Sequence, residues 1–389
     1  MIPEALKQNY YRALAVSKIK GKEFTGSSPP GIFVSHFNYP KIPVSIVSLA
    51  EQNENANYYD TPELWFNKPQ EEILAMRHEL IHASKTHDKS EPQNPGKELL
   101  DMQELALSRN FQDLDVSLKK MPEADVSFCD VLAPIGPKAQ LEKFSFIDNP
   151  KVFQKAERIF YDTDAKSSIA IKELYSDTIP ISSIYKLLSI GALGQQKKRI
   201  LVPTKWAITA IDDTVSKQLV EEIKMHQQIN DYQLFQSSYL DNYFYILLIP
   251  NCWSFEMLES WLGYTEKGGL PSIAVDFELY LGRKKYADQI TGAYYSARLA
   301  VAEHLKRIRR QASAIVFREI TPEYKIPMGV WQIRENVRFA LSQKPISFSS
   351  LDLAIDFIST KLKNPMKYYK DKSFLLNELK TQKRIFDFF

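Results

Sequence analysis

The sequence predicts a mixed α/β (α+β) protein of more than one domain, and three observations predict it. The 389 residues exceed the roughly 100–200 that a single domain takes. Apolar residues recur at three- and four-residue steps in some stretches and alternate in others, so helices and strands are interspersed. Turn formers collect in "GYTEKGGLPS" (263–272), which marks a boundary. Before it, the pattern is mostly helical with one β-hairpin; after it come a sheet and a long basic helix. The expected division is 1–265, 266–372 and a flexible tail, 373–389.

Taken in order, "PEALKQNYYRALAVSKIK" (3–20) and "PQEEILAMRHELIHASKTH" (69–87) each place Pro at a first helical position and carry a helical apolar stripe. The intervening "SSPPGIFVSHFNYPKIPVSI" has too many prolines for a helix, and "GIFV" predicts one short strand in stiff, extended backbone. "LDVSLKKMPEADVSFCD" predicts a hairpin around Met-Pro-Glu-Ala. Three helices follow in "PKVFQKAERIFYD", "AKSSIAIKELYS" and "PISSIYKLLSI", the last closed by Gly191 as a C-cap. "YFYILLIP" (243–250) is apolar on both faces and reads as a buried strand. Beyond the boundary the pattern gives strand 273–281, helix 288–311, strand 314–320 and helices near 330–342 and 349–363.

Composition narrows the function classes. With 44% hydrophobic and 25% charged residues the chain is globular, and its net charge of +3 gives no bulk case for nucleic-acid binding. Any such site must be a local patch. Cys129 and Cys252 are too few for a thiolate zinc site or a disulfide framework, which favours a reducing, cytoplasmic setting. No apolar run approaches the roughly 18 residues that would cross a bilayer, and no signal-peptide pattern opens the chain, so no membrane partner is expected.

Several constellations can carry chemistry. In strand 273–281, Asp276 and Glu278 share one face, about 6–7 Å apart. That pair would suit a divalent cation (Mg or Mn) or acid–base work on a phosphodiester, as in a nuclease, unless it is a solvated outer face. In helix 288–311, Arg298 and Arg309 edge the buried stripe, with Tyr295 and Lys306 just beyond. Two cations beside a ring would hold a phosphate and a stacked base. "GQQKKRILVPTKWAITAIDDT" adds Lys197, Lys198, Arg199 and Lys205 as phosphate contacts and Trp206 as a stacking surface, with Asp212 or Asp213 as the N-cap of a following helix. His36 and Tyr39 stand in the proline-rich stretch as a pocket wall or a structural clamp. "HELIH" matches HExxH: on one helix, His78 and His82 would share a face and Glu79 would polarise a zinc-bound water, the arrangement of a zinc metallopeptidase. The alternative is two ordinary helix-surface histidines.

The last residues, "TQKRIFDFF", put Phe386, Phe388 and Phe389 at the very end. Gln382, Ile385, Phe388 and Phe389 fit Gln-x-x-aliphatic-x-x-aromatic-aromatic, which resembles the PIP box that binds the sliding clamp PCNA. In a single 3₁₀ turn Ile385 and Phe388 would share a face with Phe389 beside them, an apolar plug for another molecule.

The motifs "GSSPPGIFVSHFNYPKIPVS", "DTPELWF", "QELALS", "DTDAKSSIAIKELY", "KKRILVPTKWAITAIDDT", "DFELYLGRKKYA", "GAYYSARLAVAEHL" and "REITPEYKIPMGVWQIRENVR", in this order, resemble the archaeal DNA-repair family NreA across nearly the whole chain. The resemblance implies a role in the DNA-damage response in partnership with the clamp, and two parts; a body that binds DNA or nucleotide, with other repair proteins as partners, is a further expectation. Many members resemble one another in a cysteine-rich N-terminus that this chain lacks, so no structural zinc is expected.

Overall fold

The computed structural model describes residues 21–122, 127–266 and 269–381. Among them are eleven α-helices and two six-stranded mixed sheets, so the architecture is mixed α/β. The helix expected at 3–20 and the clamp-type motif at 382–389 lie outside the described residues. The chain divides into two compact units, residues 1–215 with 327–331, and residues 216–326 with 332–389.

The first unit is built on β1 (Glu23–Ser28), β2 (Ile32–Val34), β3 (Lys41–Ser48), β4 (Ile81–Asp88), β5 (Gln112–Leu118) and β6 (Lys138–Phe146), in the order β1-β5-β6-β4-β3-β2. All pairs are antiparallel except β4 with β6. The N-terminal part is therefore not mostly helical. Lys41–Ser48 reads "KIPVSIVS", where Pro43 masks an alternation that buries Ile42, Val44 and Ile46; it is a full strand where stiff, extended backbone outside any strand was expected. The expected hairpin is not formed among the described residues: β5 pairs with β1 and β6, and Ser127 makes only an isolated bridge to Ile135.

The helices of this unit are α1 (Gln70–Glu79), α2 (Lys97–Leu107), α3 (Gln154–Tyr161), α4 (Ser167–Ser176), α5 (Ile181–Ser189) and α6, Thr204–Ile223, which crosses into the second unit. The three central helices match their apolar stripes, and Gly191 closes α5 at φ 69°, a left-handed conformation open to glycine. The expected helix 69–87 stops at Glu79: Leu80 turns extended, and Ile81–Asp88 enters the sheet between β3 and β6. Strand pairing outweighs the local helical stripe there, because "ASKTH" offers helix propensity little while β3 and β6 satisfy its backbone groups.

The second unit holds β7 (Tyr232–Tyr239), β8 (Asn242–Ile249), β9 (Ser254–Thr265), β10 (Pro271–Glu278), β11 (Ser313–Ile320) and β12 (Ile346–Phe348), ordered β10-β9-β11-β8-β7-β12, with only β9 and β11 parallel. The turn formers at 263–272 join β9 to β10, neighbours in one sheet, and by contacts the chain changes compact unit at Val215/Ser216. One face of the sheet packs on α9 (Leu351–Ser359), α10 (Met366–Lys372) and α11 (Phe374–Thr381) through Ile355, Ile358, Tyr369 and Leu375 against Leu247, Ile315 and Phe317. The other meets α7 (Gly292–Ile308), where Tyr294 sits edge-on to Phe255, ring centroids 5.1 Å apart. α8 (Trp331–Ser342) completes the helices. Because α7 is buried all around from Gly292 to Ala302, its sequence cannot be divided into a core stripe and a solvated face.

Candidate nucleic-acid interface

The acidic pair comes out as structure. Asp276 and Glu278 do share a face of β10, but that face is buried under α7. Asp276 accepts the backbone N–H groups of Gln289 (3.1 Å) and Ile290 (2.7 Å) and pairs with Arg283 at 2.9 Å. Glu278 Oε1 accepts from Trp253 Nε1 at 3.0 Å and Arg298 Nε at 2.8 Å. Both carboxylates are committed to internal donors, so neither faces a space where a phosphodiester or cation would sit. The opposite face, where Val275 and Phe277 point, is half-covered: Phe277 stacks on Phe374 at 4.2 Å.

The cations of α7 follow suit. Arg298 is 1% exposed and, besides Glu278, donates to Ser216 Oγ at 2.7 Å. Tyr295 is buried, its hydroxyl accepting the N–H of Ala287 at 2.9 Å. Arg309 is exposed, at the left-handed C-cap of α7, and Lys306 pairs with Glu222 at 3.0 Å. The four do not form one phosphate-and-base sector.

The HExxH geometry is absent. Glu79 ends α1 and His82 lies on β4, so His78 and His82 are not one helical turn apart. Both rings are buried, which holds their pKa values down, to about 4 for His78 and about 3 for His82, with the charge of Arg77 adding to the effect. Among the described residues no group of three or more His, Cys, Asp or Glu is placed to hold a metal ion.

Of the basic stretch before α6, Arg199 is also structural. It is 4% exposed, donates to the carbonyls of Gly194 (2.9 Å) and Phe160 (2.6 Å), and stacks over the Phe160 ring at 5.3 Å. Asp212 is buried in mid-helix, because α6 begins nine residues earlier than an N-cap at Asp212 would require. Lys197 and Lys198 are exposed in a 3₁₀ turn.

What the fold does bring together is Trp206 and Tyr39. Trp206, on the first turn of α6, is 53% exposed, and Tyr39 is 44% exposed. Their ring centroids are 6.4 Å apart, and Lys89 Nζ lies over the Tyr39 ring at 5.0 Å. Backbone bonds fix the three segments: Lys89 N–H donates to Pro40 O at 2.9 Å, and Leu201 N–H to Lys89 O at 2.8 Å. Exposed Ile200 precedes Leu201 in the chain, and half-buried Lys205 precedes Trp206 on α6. His36 sits one step away, its ring 4.0 Å from the exposed ring of Phe37. Exposed rings are costly to leave in water unless something covers them. A cation held against one of them makes the surface suited to a stacked base with its phosphate. Sequence reading found Trp206, Lys205 and Tyr39 separately but not Lys89, which stands about 50 residues from Tyr39 and is brought near only by β3–β4 pairing.

Two mixed α/β units, the first bearing an exposed aromatic–cationic surface, define a two-part protein with a face suited to nucleic acid. The archaeal Nre N-terminal pattern matches residues 5–265 and the archaeal Nre C-terminal pattern residues 278–388. The chain belongs to the archaeal Nre family. It is 39% identical over 339 residues to the DNA repair protein NreB of Archaeoglobus fulgidus, covering 87% of this chain and 85% of that protein. It is 34% identical to the same organism's DNA repair protein NreA, covering 91% and 89%. Against the DNA repair protein NreA of Haloferax volcanii it is 30% identical, covering 95% and 90%. No solved structure matches the chain. No helix among the described residues is long and apolar enough to cross a membrane.

Proposed function

We propose that this protein acts in DNA repair, that the surface at the head of α6 binds single-stranded nucleic acid, and that residues 382–389 tie it to a sliding clamp. The repair role is supported by the names of the relatives. The observation that carries the binding reading is the pair of exposed rings, Tyr39 and Trp206, with Lys89 against one of them. Stacking on such a platform is sequence-tolerant, because every base has a π-face, and a lysine tracks the backbone charge. A near-neutral chain, at net +3, would bind DNA weakly by itself. Tethering by the Gln382, Ile385, Phe388 and Phe389 motif would supply the missing local concentration.

The experiment is anisotropy with a labelled single-stranded oligonucleotide, together with co-elution with the clamp. Trp206→Ala and Tyr39→Ala should each weaken oligonucleotide binding by roughly 5- to 150-fold, the equivalent of about 1–3 kcal/mol of lost stacking per base, while clamp binding persists. Deleting 382–389 should do the reverse. Unchanged affinity in both ring variants defeats the surface reading, and co-elution that survives the deletion defeats the tether.

A further inference from the structure

Behind the β2–β3–β4 side of the first sheet lies a cavity of about 30 Å³, two to three times the roughly 10–15 Å³ that a single water needs. Arg77, Lys186, Asp60, His82 and Thr204 supply its main polar lining. Asp60 is the one carboxylate among its lining residues, and it is fully engaged: Oδ1 with Arg77 Nη1 at 2.5 Å and Oδ2 with Lys186 Nζ at 2.7 Å. Two buried cations against one carboxylate leave the wall with one formal positive charge in excess, while burial keeps His82 neutral. An uncompensated buried charge is destabilising. A fold that retains it gains from a bound anion.

The unfilled donors point the same way. Arg77 gives Nε to Pro134 O at 2.8 Å and Nη1 to Tyr59 O at 2.9 Å and to Asp60, and its guanidinium lies over the Trp65 ring at 5.6 Å; none of these hydrogen bonds uses Nη2. Lys186 spends its protons on Asp60 O (3.0 Å) and Oδ2, with a third uncommitted. Thr204 Oγ1 accepts from Val34 N–H at 2.9 Å and keeps its own proton. Neither ring nitrogen of His82, a side chain 2% exposed, has a hydrogen-bond partner. Thr204 also opens α6, a twenty-residue helix with no acidic residue in its first turn, so the positive end of its dipole adds to the same field.

We infer that this cavity is a binding site for a phosphate group, held by Arg77, Lys186, Thr204 and His82 at the N-terminus of α6. Its chemistry is that of a compact oxyanion, whether the free ion or the monoester end of a nucleotide. The inference does not rest on the Tyr39–Trp206 surface and stands or falls without it.

Thermal unfolding of the full chain in inorganic phosphate, against KCl at equal ionic strength, tests it. Phosphate should raise the Tm by several degrees beyond the KCl control, as a ligand bound only by the folded state must. Lys186→Met removes the excess charge while leaving the Asp60–Arg77 pair intact, and should weaken phosphate affinity at least tenfold. His82→Leu, a neutral replacement of similar size, should weaken it as well. Should Lys186→Met fail to fold, ³¹P line broadening on the wild-type chain and on His82→Leu carries the test. A second arm compares phosphate with a nucleoside 5′-monophosphate and its unphosphorylated nucleoside. Tighter binding of the monophosphate supports the site and assigns the ester, whereas tighter binding of the free ion supports it and assigns phosphate itself. A Tm that moves no more in phosphate than in KCl, or a full shift retained in Lys186→Met, overturns the inference.

Discussion

Arg298 Nε donates to Glu278 Oε1 at 2.8 Å with both side chains sealed from solvent, Arg298 1% and Glu278 3% exposed. The same oxygen takes the indole N–H of Trp253, so the pair ties α7 to β10 and, through Trp253, to the turn before β9. A buried ion pair of this kind specifies where elements sit more than it adds net stability. Breaking one half, however, strands the other charge in a low-dielectric interior.

Arg298→Ala should therefore destabilise the protein by about 3–5 kcal/mol, read as a lower urea midpoint. Replacing both partners together, Arg298→Met with Glu278→Gln, should cost much less, because no bare charge remains. Oligonucleotide affinity measured on the folded fraction should stay the same. A selective loss of binding in stably folded Arg298→Ala would return this arginine to the functional candidates.

On the proposed binding surface, cations and rings should separate by salt. Lys89→Ala and Lys205→Ala should each lower the slope of log K against log salt by about 0.7, the value for one phosphate contact on a single strand. Trp206→Ala should weaken binding at every salt concentration with the slope unchanged, since stacking releases no counterion. Equal slopes in all three variants would mean that the lysines only solubilise the patch.

How much of this was legible in the sequence depends on how far apart the decisive residues lie. Strand 313–320 followed from a short apolar run and is buried along its whole length, and the helices at 331–342 and 351–359 followed from local periodicity. In "PQEEILAMRHELIHASKTH" the same periodicity misled: a stripe through Ile73 and Leu74 continues in register past Glu79 at Leu80 and Ile81, but Ile81–Asp88 finds its backbone partners in β3 and β6, about 40 and 56 residues away. Asp276 and Glu278 show the converse. Their alternation was read correctly, yet whether that face met water or α7 depended on a helix whose burial on every side left no amphipathic signal. Arg298 and Arg199 share this ambiguity, since a guanidinium that neutralises a buried carboxylate or ties carbonyls together looks, in sequence, like one waiting for phosphate. Asp60 and Lys186, separated by 126 positions, had no local signal at all.

Gly136 is a position where space alone decides. A Cβ there would lie 2.3 Å from Leu80 O and 2.5 Å from Arg77 O, the carbonyls where α1 ends and the chain turns into β4. Neither can retreat without shifting Arg77, whose guanidinium is fixed to Pro134 O and Asp60. Gly136→Ala should cost more than about 2 kcal/mol and weaken any phosphate-dependent rise in Tm out of proportion to that loss. Gly282→Ala is the control for backbone strain: its Cβ would meet nothing within 4 Å, so at φ 76° only the conformational penalty of about 1–2 kcal/mol remains. Equal Tm changes in the two variants would remove the close-approach argument.

The last helix before the tail is held by a carboxylate that titrates near neutrality. Glu256 Oε1 accepts the N–H groups of Phe374 (2.7 Å) and Leu375 (3.3 Å) at the start of α11, and its other oxygen accepts from Ser373 Oγ. Burial outweighs these donors and pushes the Glu256 pKa up to about 7. Between about pH 4.5 and 7 the folded chain thus keeps a proton that the unfolded chain releases, so stability falls as pH rises through this window and levels off above it. Glu256→Gln keeps an acceptor for both backbone N–H groups and should flatten that dependence, leaving wild type and variant closest at low pH and the variant relatively more stable at pH 8. Amide exchange in Phe374–Thr381 should report it locally, slower at pH 6 than at pH 8 after correction for intrinsic rates. If wild type and Glu256→Gln share one pH profile, the carboxylate is ionised throughout and α11 is docked independently of pH.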